Sequence, residues 1–349
     1  MLSVHSLLMV ANTYPLFALT MLLIAATIFV NGATDAANSI ADAVGTGAIS
    51  FRNAIILAVI ANFVGLVAAA LFSTAVADTM SNMVDFGGDS HTALVSLAAA
   101  MVAIVVWAGV AWYFGIPTSE SHALIAGLSG AAIAVSGGVS GINFSEWVKV
   151  IYGLVFSTIM GFALGFISTK TISWTCANVK QETMDRVFGR IQVVGAGFGA
   201  LMHGAQDGQK FMSTAALAVM LGTGGNLIKN GEYPLWLMLS CAIIMAIGTA
   251  VGGKKIVITV GTKMVSMEKY QGAAASMSDA LSLFILTILG MPVSTTHTKS
   301  CAIMGAGSAK SLASVDWSIA KSMMMTWICT FPGCGILGFV LASIFLRIF

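Results

Sequence analysis

The sequence predicts an all-α integral membrane protein built from two homologous halves, and three observations predict it. Hydrophobic residues make up 58% of the 349-residue chain and charged residues only 9%. A soluble globular protein carries about 25% charged residues, so a bilayer is the natural solvent here. Uncharged apolar runs recur along the chain, and several reach or exceed the roughly 20 residues that a helix needs to cross the hydrocarbon core. Four short polar islands interrupt the apolar sequence, and the last two resemble the first two in order.

The strong spans are 54–77, 93–117, 150–169, 234–253 and 322–346; shorter or more polar runs at 14–30, 191–203, 211–221, 256–267 and 271–289 are weaker spans. An open sheet would leave edge backbone groups unpaired in lipid. A barrel would alternate with period two, whereas these runs are apolar on every face. No Lys or Arg leads the opening segment, which speaks against a cleaved signal peptide. The net charge of +2 argues against a nucleic-acid binder, which requires a basic patch. Cys176, Cys241, Cys301, Cys329 and Cys334 show no metal-site spacing and read as small packing residues. Asp78, Asp85, Asp89 and His91 lie between two spans without a nearby Lys or Arg. Lys170, Lys180, Arg186 and Arg190 form a basic stretch mid-chain, and Lys254, Lys255, Lys263 and Lys269 form another. The positive-inside rule puts both basic stretches in the cytoplasm and the 78–91 loop outside. The expected location is the cell membrane, crossed many times.

The first island reads Asn31-Gly-Ala-Thr-Asp35-Ala-Ala-Asn38-Ser39, and the third His203-Gly-Ala-Gln-Asp207-Gly-Gln-Lys210. The second, Pro117-Thr-Ser-Glu-Ser-His122, matches the fourth, Pro292-Val-Ser-Thr-Thr-His297. The step along the chain from Asp35 to Asp207 nearly equals the step from Pro117 to Pro292. The chain therefore divides into a first half at 13–170, a cytoplasmic linker at 171–190 and a second half at 191–348. Duplicated halves are a feature of secondary transporters, and inverted copies are the expected arrangement. Each island combines Gly or Pro with cap and turn residues and reads as a helix break. A break in a membrane helix frees N–H groups, which attract anions, and carbonyls, which beside a carboxylate suit a small cation. Each island thus offers one half of an ion-coupled anion site.

Asp35 and Asp207 stand out because an ionisable group within hydrocarbon is costly and marks function by default; the alternative is a helix-capping role at the water boundary. Asn38 and Gln206 are amides beside them that either ligate a cation or bond a neighbouring helix. Ser119, Ser121, Ser294, Thr295 and Thr296 follow the two prolines. With each proline near a helix start, these hydroxyls and the adjacent N–H groups converge, unless they merely bond back to a helix carbonyl. His122, His297 and His203 read as structural histidines that bond a backbone carbonyl near the site, with a proton relay as the alternative. Glu120 has Thr295 as its counterpart and reads as protonated, paired or a cation ligand. Lys210 stands in the place of Asn38 and either neutralises Asp207 or helps hold an anion. Asp42 and Asp279 are second-rank candidates.

At these islands the sequence resembles the inorganic phosphate transporter family, the sodium- or proton-coupled phosphate permeases. The family pairs a Gly-Ala-Asn-Asp-like motif and an Asn with a Pro-x-Ser-x-Thr-His motif, once per half. Here these are Gly32 to Asp35 with Asn38 and Pro117 to His122, then Gly204 to Asp207 and Pro292 to His297. Thr34 and Gln206 replace the usual Asn, Glu120 replaces a small residue, and Asn62 stands about where animal members carry Glu. The resemblance covers essentially the full chain. It implies about a dozen membrane segments in two inverted repeats, paired broken-helix hairpins meeting near the midplane, a homodimer, and inorganic phosphate as substrate.

The expected activity is secondary active import of phosphate with Na⁺ by alternating access. Phosphate is expected at Thr118, Ser119, Glu120, Ser121, Gln206, Asp207, Ser294, Thr295 and Thr296. Na⁺ is expected at Asp35, Asn38, Gln206, Asp207, Ser119 and Ser294, where hydroxyl, amide and carboxylate oxygens form a hard-cation cage. No cofactor besides the coupling ion is expected. The alternatives are proton coupling with Glu120 as the titrating group, a sulfate permease of the same fold, and a passive channel. No Ser/His/Asp order, zinc spacing or nucleotide loop favours an enzyme.

Overall fold

A computed structural model describes residues 4–87, 89–114, 116, 118–224 and 233–349. Pro117, the first residue of the second island, lies outside the described residues. The chain folds into helices α1 (Val4–Thr13), α2 (Pro15–Asn38), α3 (Ala41–Gly45), α4 (Phe51–Phe72), α5 (Ala75–Ser81), α6 (Ser90–Phe114) and α7 (Glu120–Ser136). These are followed by α8 (Phe144–Thr175), α9 (Gln181–Thr223), α10 (Leu235–Val251), α11 (Lys254–Ile258), α12 (Lys269–Ile288), α13 (Thr295–Lys310) and α14 (Trp317–Ile348). Among the described residues α2, α4, α6, α8, α12 and α14 are long and apolar enough to cross a membrane, and α10 joins α11 and its following turn through a 62° bend as a seventh candidate.

Local chemistry sets the boundaries. Pro15 opens α2, where a missing N–H costs nothing. Ser50, Asn143 and Asp316 accept N–H bonds at the starts of α4, α8 and α14. Glu268 and Gln271 form a reciprocal capping box on α12. α7 and α9 stop at Gly137 and Gly224, both in the left-handed region.

The islands do not all break helices, contrary to the expectation from their residue types. Ser119 and Ser294 cap α7 and α13, accepting from the N–H groups of His122 and His297 at 3.2 Å each, so the second and fourth islands are genuine breaks. Pro292 sits two residues ahead of its cap rather than in the first turn. The first island ends α2 instead of splitting it. The third lies inside α9, a continuous helix of 43 residues that absorbs both weak spans 191–203 and 211–221. Its glycines serve close packing: a Cβ on Gly204 would collide with the Asn62 backbone of α4, and one on Gly208 with the Leu66 side chain. The run 54–77 also divides, at Ser73 and Thr74, into α4 and α5.

Helices from early and late in the chain pack on one another. α2 lies on α10 and α9 on α4, while α7 lies on α14 and α13 on α8. The closest approaches come in matching pairs, and Gly32 and Gly204 stand at the same interval as Asp35 and Asp207. Gly32 meets the backbone of Met245 and Gly248 that of Phe29; Gly204 meets Asn62 and Gly65 meets Leu201. Gly130 faces Gly335 as Gly305 faces Phe162. Gly204→Val should therefore cost about 3 kcal/mol, the upper range for overpacking, because rigid backbone rather than a mobile side chain stands in the way. A fall in the melting midpoint of the detergent-solubilised protein checks this.

α6 with α7, and α12 with α13, form two helical hairpins. The base of the first is tied where Asp85 N–H donates to the Gly141 carbonyl and Asn143 N–H to that of Met83. The base of the second is tied by Asp316 N–H to the Met264 carbonyl, and by Lys310 to Glu268 at 2.5 Å. α8 starts at the first base. The segment after its end reaches the second, where Gln181 bonds Glu268. At 32 residues α8 is about 48 Å long, so the bases lie at opposite ends of the molecule and the tips meet between them.

Candidate functional site

The tips bring the four islands together. The rings of His122 and His297 meet edge to face with centroids 4.5 Å apart. His297 also packs on Trp327, and His122 on Phe331, which holds both capped helix starts against α14. Asp35 arrives on the last turns of α2 and Asp207 on the middle of α9, so both carboxylates face the two starts. Asp35, Asp207 and Glu120 are each at most 2% exposed.

Each carboxylate takes a donor from both hairpins. Asp35 accepts from the Thr296 hydroxyl of the second hairpin at 2.8 Å and from the Glu120 backbone N–H of the first at 3.2 Å. Asp207 accepts from the Ser121 hydroxyl of the first at 3.0 Å and from the Thr295 hydroxyl of the second at 3.4 Å. Asp207 has three further partners. Lys210 Nζ lies 2.7 Å from Oδ1, Asn31 donates to Oδ2 at 3.0 Å, and His203 Nε2 is 3.3 Å from Oδ2. Of the two roles open to Lys210 in the sequence, the geometry selects neutralisation of Asp207.

The remaining expected residues divide by what they hold. Asn38 donates to the Thr296 hydroxyl at 3.1 Å, while its Oδ1 has no donor among the described residues. Thr118 Oγ1 approaches Glu120 Oε1 at 3.5 Å; Glu120 Oε2 is buried, likewise without a donor among the described residues. Gln206 faces the turn before α13, donating to Thr287 and the Met291 carbonyl and accepting from Val293 N–H. Ser119 and Ser294 are the caps already described. A small cavity of about 10 Å³ adjoins Asp35 and Asn38 and is also lined by His203, Thr295, Asp279 and Lys299. It has room for one water-sized particle.

A second buried ionic cluster follows on from this cavity. Lys299 Nζ is 2.7 Å from Asp42 Oδ1 and 3.9 Å from Asp279 Oδ2, and Ser276 donates to Asp42. Asp42 and Asp279 were visible as second-rank acids in the sequence. Lys299 and Asn31 were missed. Lys299 follows the fourth motif by two residues in α13, and the cost of burying a charge without a partner was the signal that would have found it. Asn31 opens the first island, and nothing local distinguishes an amide that will bond a carboxylate 176 residues away.

Comparison with known proteins fits this geometry. A sequence model described as "Phosphate transporter family" matches residues 31–338, a range that includes all four islands. A "Probable low-affinity inorganic phosphate transporter" of Bacillus subtilis is 36% identical over 337 residues, covering 95% of this chain and 99% of that protein. One of the same description from Rhizobium meliloti is 37% identical, covering 88% and 90%. A solved structure described as "The sodium-dependent phosphate transporter" superposes with a TM-score of 0.86 at 22% identity, over 96% of this chain and all of that one, which establishes likeness of fold.

Proposed function

The chain belongs to the phosphate transporter family, and from that premise we propose that it imports inorganic phosphate across the cell membrane by symport with Na⁺. The protein crosses the membrane many times. Its two halves, 13–170 and 191–348, are inverted repeats of about a dozen segments, joined by a linker at 171–190. It acts as a carrier rather than an enzyme, and as a homodimer.

The observation that carries the reading is the charge balance of the buried site. Among the described residues three carboxyl groups, Asp35, Glu120 and Asp207, share one ammonium, that of Lys210, all at most 2% exposed. Phosphate adds one to two more negative charges. An uncompensated buried charge costs several kcal/mol, so the anion enters only together with cations. The membrane potential makes the same demand, since each negative charge moved inward against about 100 mV costs roughly 2.3 kcal/mol. In this mechanism phosphate displaces the direct hydroxyl–carboxylate bonds. It takes the hydroxyls of Thr118, Ser119, Ser121, Ser294, Thr295 and Thr296 and the N–H groups of the two helix starts. Na⁺ sits at Asp35 with the undonated oxygen of Asn38, within reach of the adjoining cavity. The sodium dependence in the name of the solved relative supports this choice of ion.

The direct test is ligand-linked stability. Phosphate at about 100 times its Kd should stabilise the detergent-solubilised protein by roughly 2.7 kcal/mol, in Na⁺ but not in choline, with sulfate inert. Equal stabilisation in both salts would contradict the reading. One observation favours protons as a second reading: Asp35 and Glu120 are buried neighbours, joined by the Glu120 N–H bond to Asp35, and such a pair can share a proton. Glu120→Gln separates the two. Under Na⁺ coupling it leaves the sodium requirement intact; under proton coupling it abolishes uptake driven by a pH gradient.

A further inference from the structure

We infer that the ammonium of Lys210 is a tethered counter-ion that permanently fills the cation site of the second half, leaving the site at Asp35 and Asn38 as the one that exchanges with solution. This rests on the reading that phosphate transport is cation-coupled.

The two halves place equivalent groups around equivalent carboxylates. Asp35 precedes Asp207 in the chain by the same interval as Asn38 precedes Lys210. Asp35 takes the Thr296 hydroxyl, and Asp207 takes the Ser121 hydroxyl. Thr296 and Ser121 stand at the same position of their motifs, immediately before the histidine. In the first half the amide of Asn38 touches that hydroxyl through its nitrogen and leaves Oδ1 without a donor among the described residues. In the second half the Lys210 ammonium lies among Asp207 Oδ1 at 2.7 Å, Ser121 Oγ at 2.8 Å and the Val293 carbonyl at 2.5 Å. A carboxylate, a hydroxyl and a backbone carbonyl form the oxygen set that would suit a small hard cation. An ammonium has three N–H donors, and here each has an acceptor.

The consequence is one of stoichiometry. A free cation leaves with each turnover and carries its charge with it, whereas a lysine stays. Asp207 is thus compensated in every state without drawing on an ion gradient. Asp35 pairs with no ammonium among the described residues and borders a cavity of single-particle size, whose other wall includes Lys299, itself already paired with Asp42. The burial of Lys210, at 0% exposure, is sustained by its three acceptors.

The test counts ions. Purified protein in proteoliposomes, with the potential clamped, takes up ²²Na⁺ and ³²P-phosphate together. The wild-type chain should carry one Na⁺ per phosphate, with phosphate taken in its monovalent form so that the pair moves without net charge. Lys210→Asn copies the first half and leaves Asp207 in need of a counter-charge, so the flux ratio should rise roughly twofold, with a steeper dependence on Na⁺ concentration. A wild-type ratio of two or more overturns the inference, as does an unchanged ratio in Lys210→Asn. If that variant does not fold, the wild-type ratio still decides. Should a pH gradient alone drive uptake, coupled protons are counted by a pH-sensitive dye, beyond those phosphate itself carries, and the same two ratios apply. Phosphate flux with no coupled cation refutes the coupling reading itself, an outcome distinct from coupling at the wrong ratio.

Discussion

Asp207→Asn should destabilise the protein by about 3–5 kcal/mol, the range for breaking a buried ion pair by removing one partner. The loss is large because the substitution strands Lys210, whose ammonium is fully buried and keeps only neutral acceptors in Ser121 and Val293. The remaining contacts to Asn31, Ser121, Thr295 and His203 tie α2 and both hairpins to α9, so the damage extends beyond one pair. Removing both charges together, in Asp207→Asn with Lys210→Met, should restore most of the stability, since an apolar replacement of a buried pair is often near neutral. It should not restore phosphate uptake, because the site then lacks the charged carboxylate and ammonium that both hairpin tips contact. Melting midpoints of the single and double variants, with uptake measured on each, check both statements.

Asp35→Asn should show the opposite pattern. Its two donors, Thr296 Oγ1 and Glu120 N–H, can still bond an amide oxygen, and no buried lysine is stranded. The fold should be retained, with a melting midpoint close to that of the wild type. What disappears is a charge-assisted contact to the coupling ion, worth about 1.5–3 kcal/mol, or roughly a 10- to 100-fold loss in apparent Na⁺ affinity. Sodium activation of uptake, measured against a choline background, reads this directly. An unchanged activation curve would remove Asp35 from the cation site. Two carboxylates at equivalent repeat positions thus carry different expectations, and the difference is whether a lysine stands three residues later.

The apolar spans were legible because they depend on composition, and the four islands because their motifs recur in order. The offset between Asp35 and Asp207 reappears in the packing, where Gly32 and Gly204 make matching approaches to other helices. The breaks at Ser119 and Ser294 were also legible, since a proline followed by a hydroxyl residue has a local meaning. The third island misled. Its glycines and amides are turn residues in water, but within α9 they allow close contact with α4 and satisfy a buried charge. Reading α9 as two spans obscured the number of crossings, and with it the opposed directions of the hairpins. Partners such as Asn31 to Asp207, or Lys299 to Asp42, lie in opposite halves and were beyond any local pattern.

The central claim is that phosphate moves only with a cation through the buried site between the hairpin tips. Its most direct test is phosphate uptake into proteoliposomes under an imposed inward Na⁺ gradient, compared with a K⁺ gradient of the same size. Phosphate should accumulate inside above its outside concentration with Na⁺ and reach only equilibrium with K⁺. Uptake that stops at equilibrium under either gradient, and under an imposed pH gradient as well, would contradict the account and describe a passive channel.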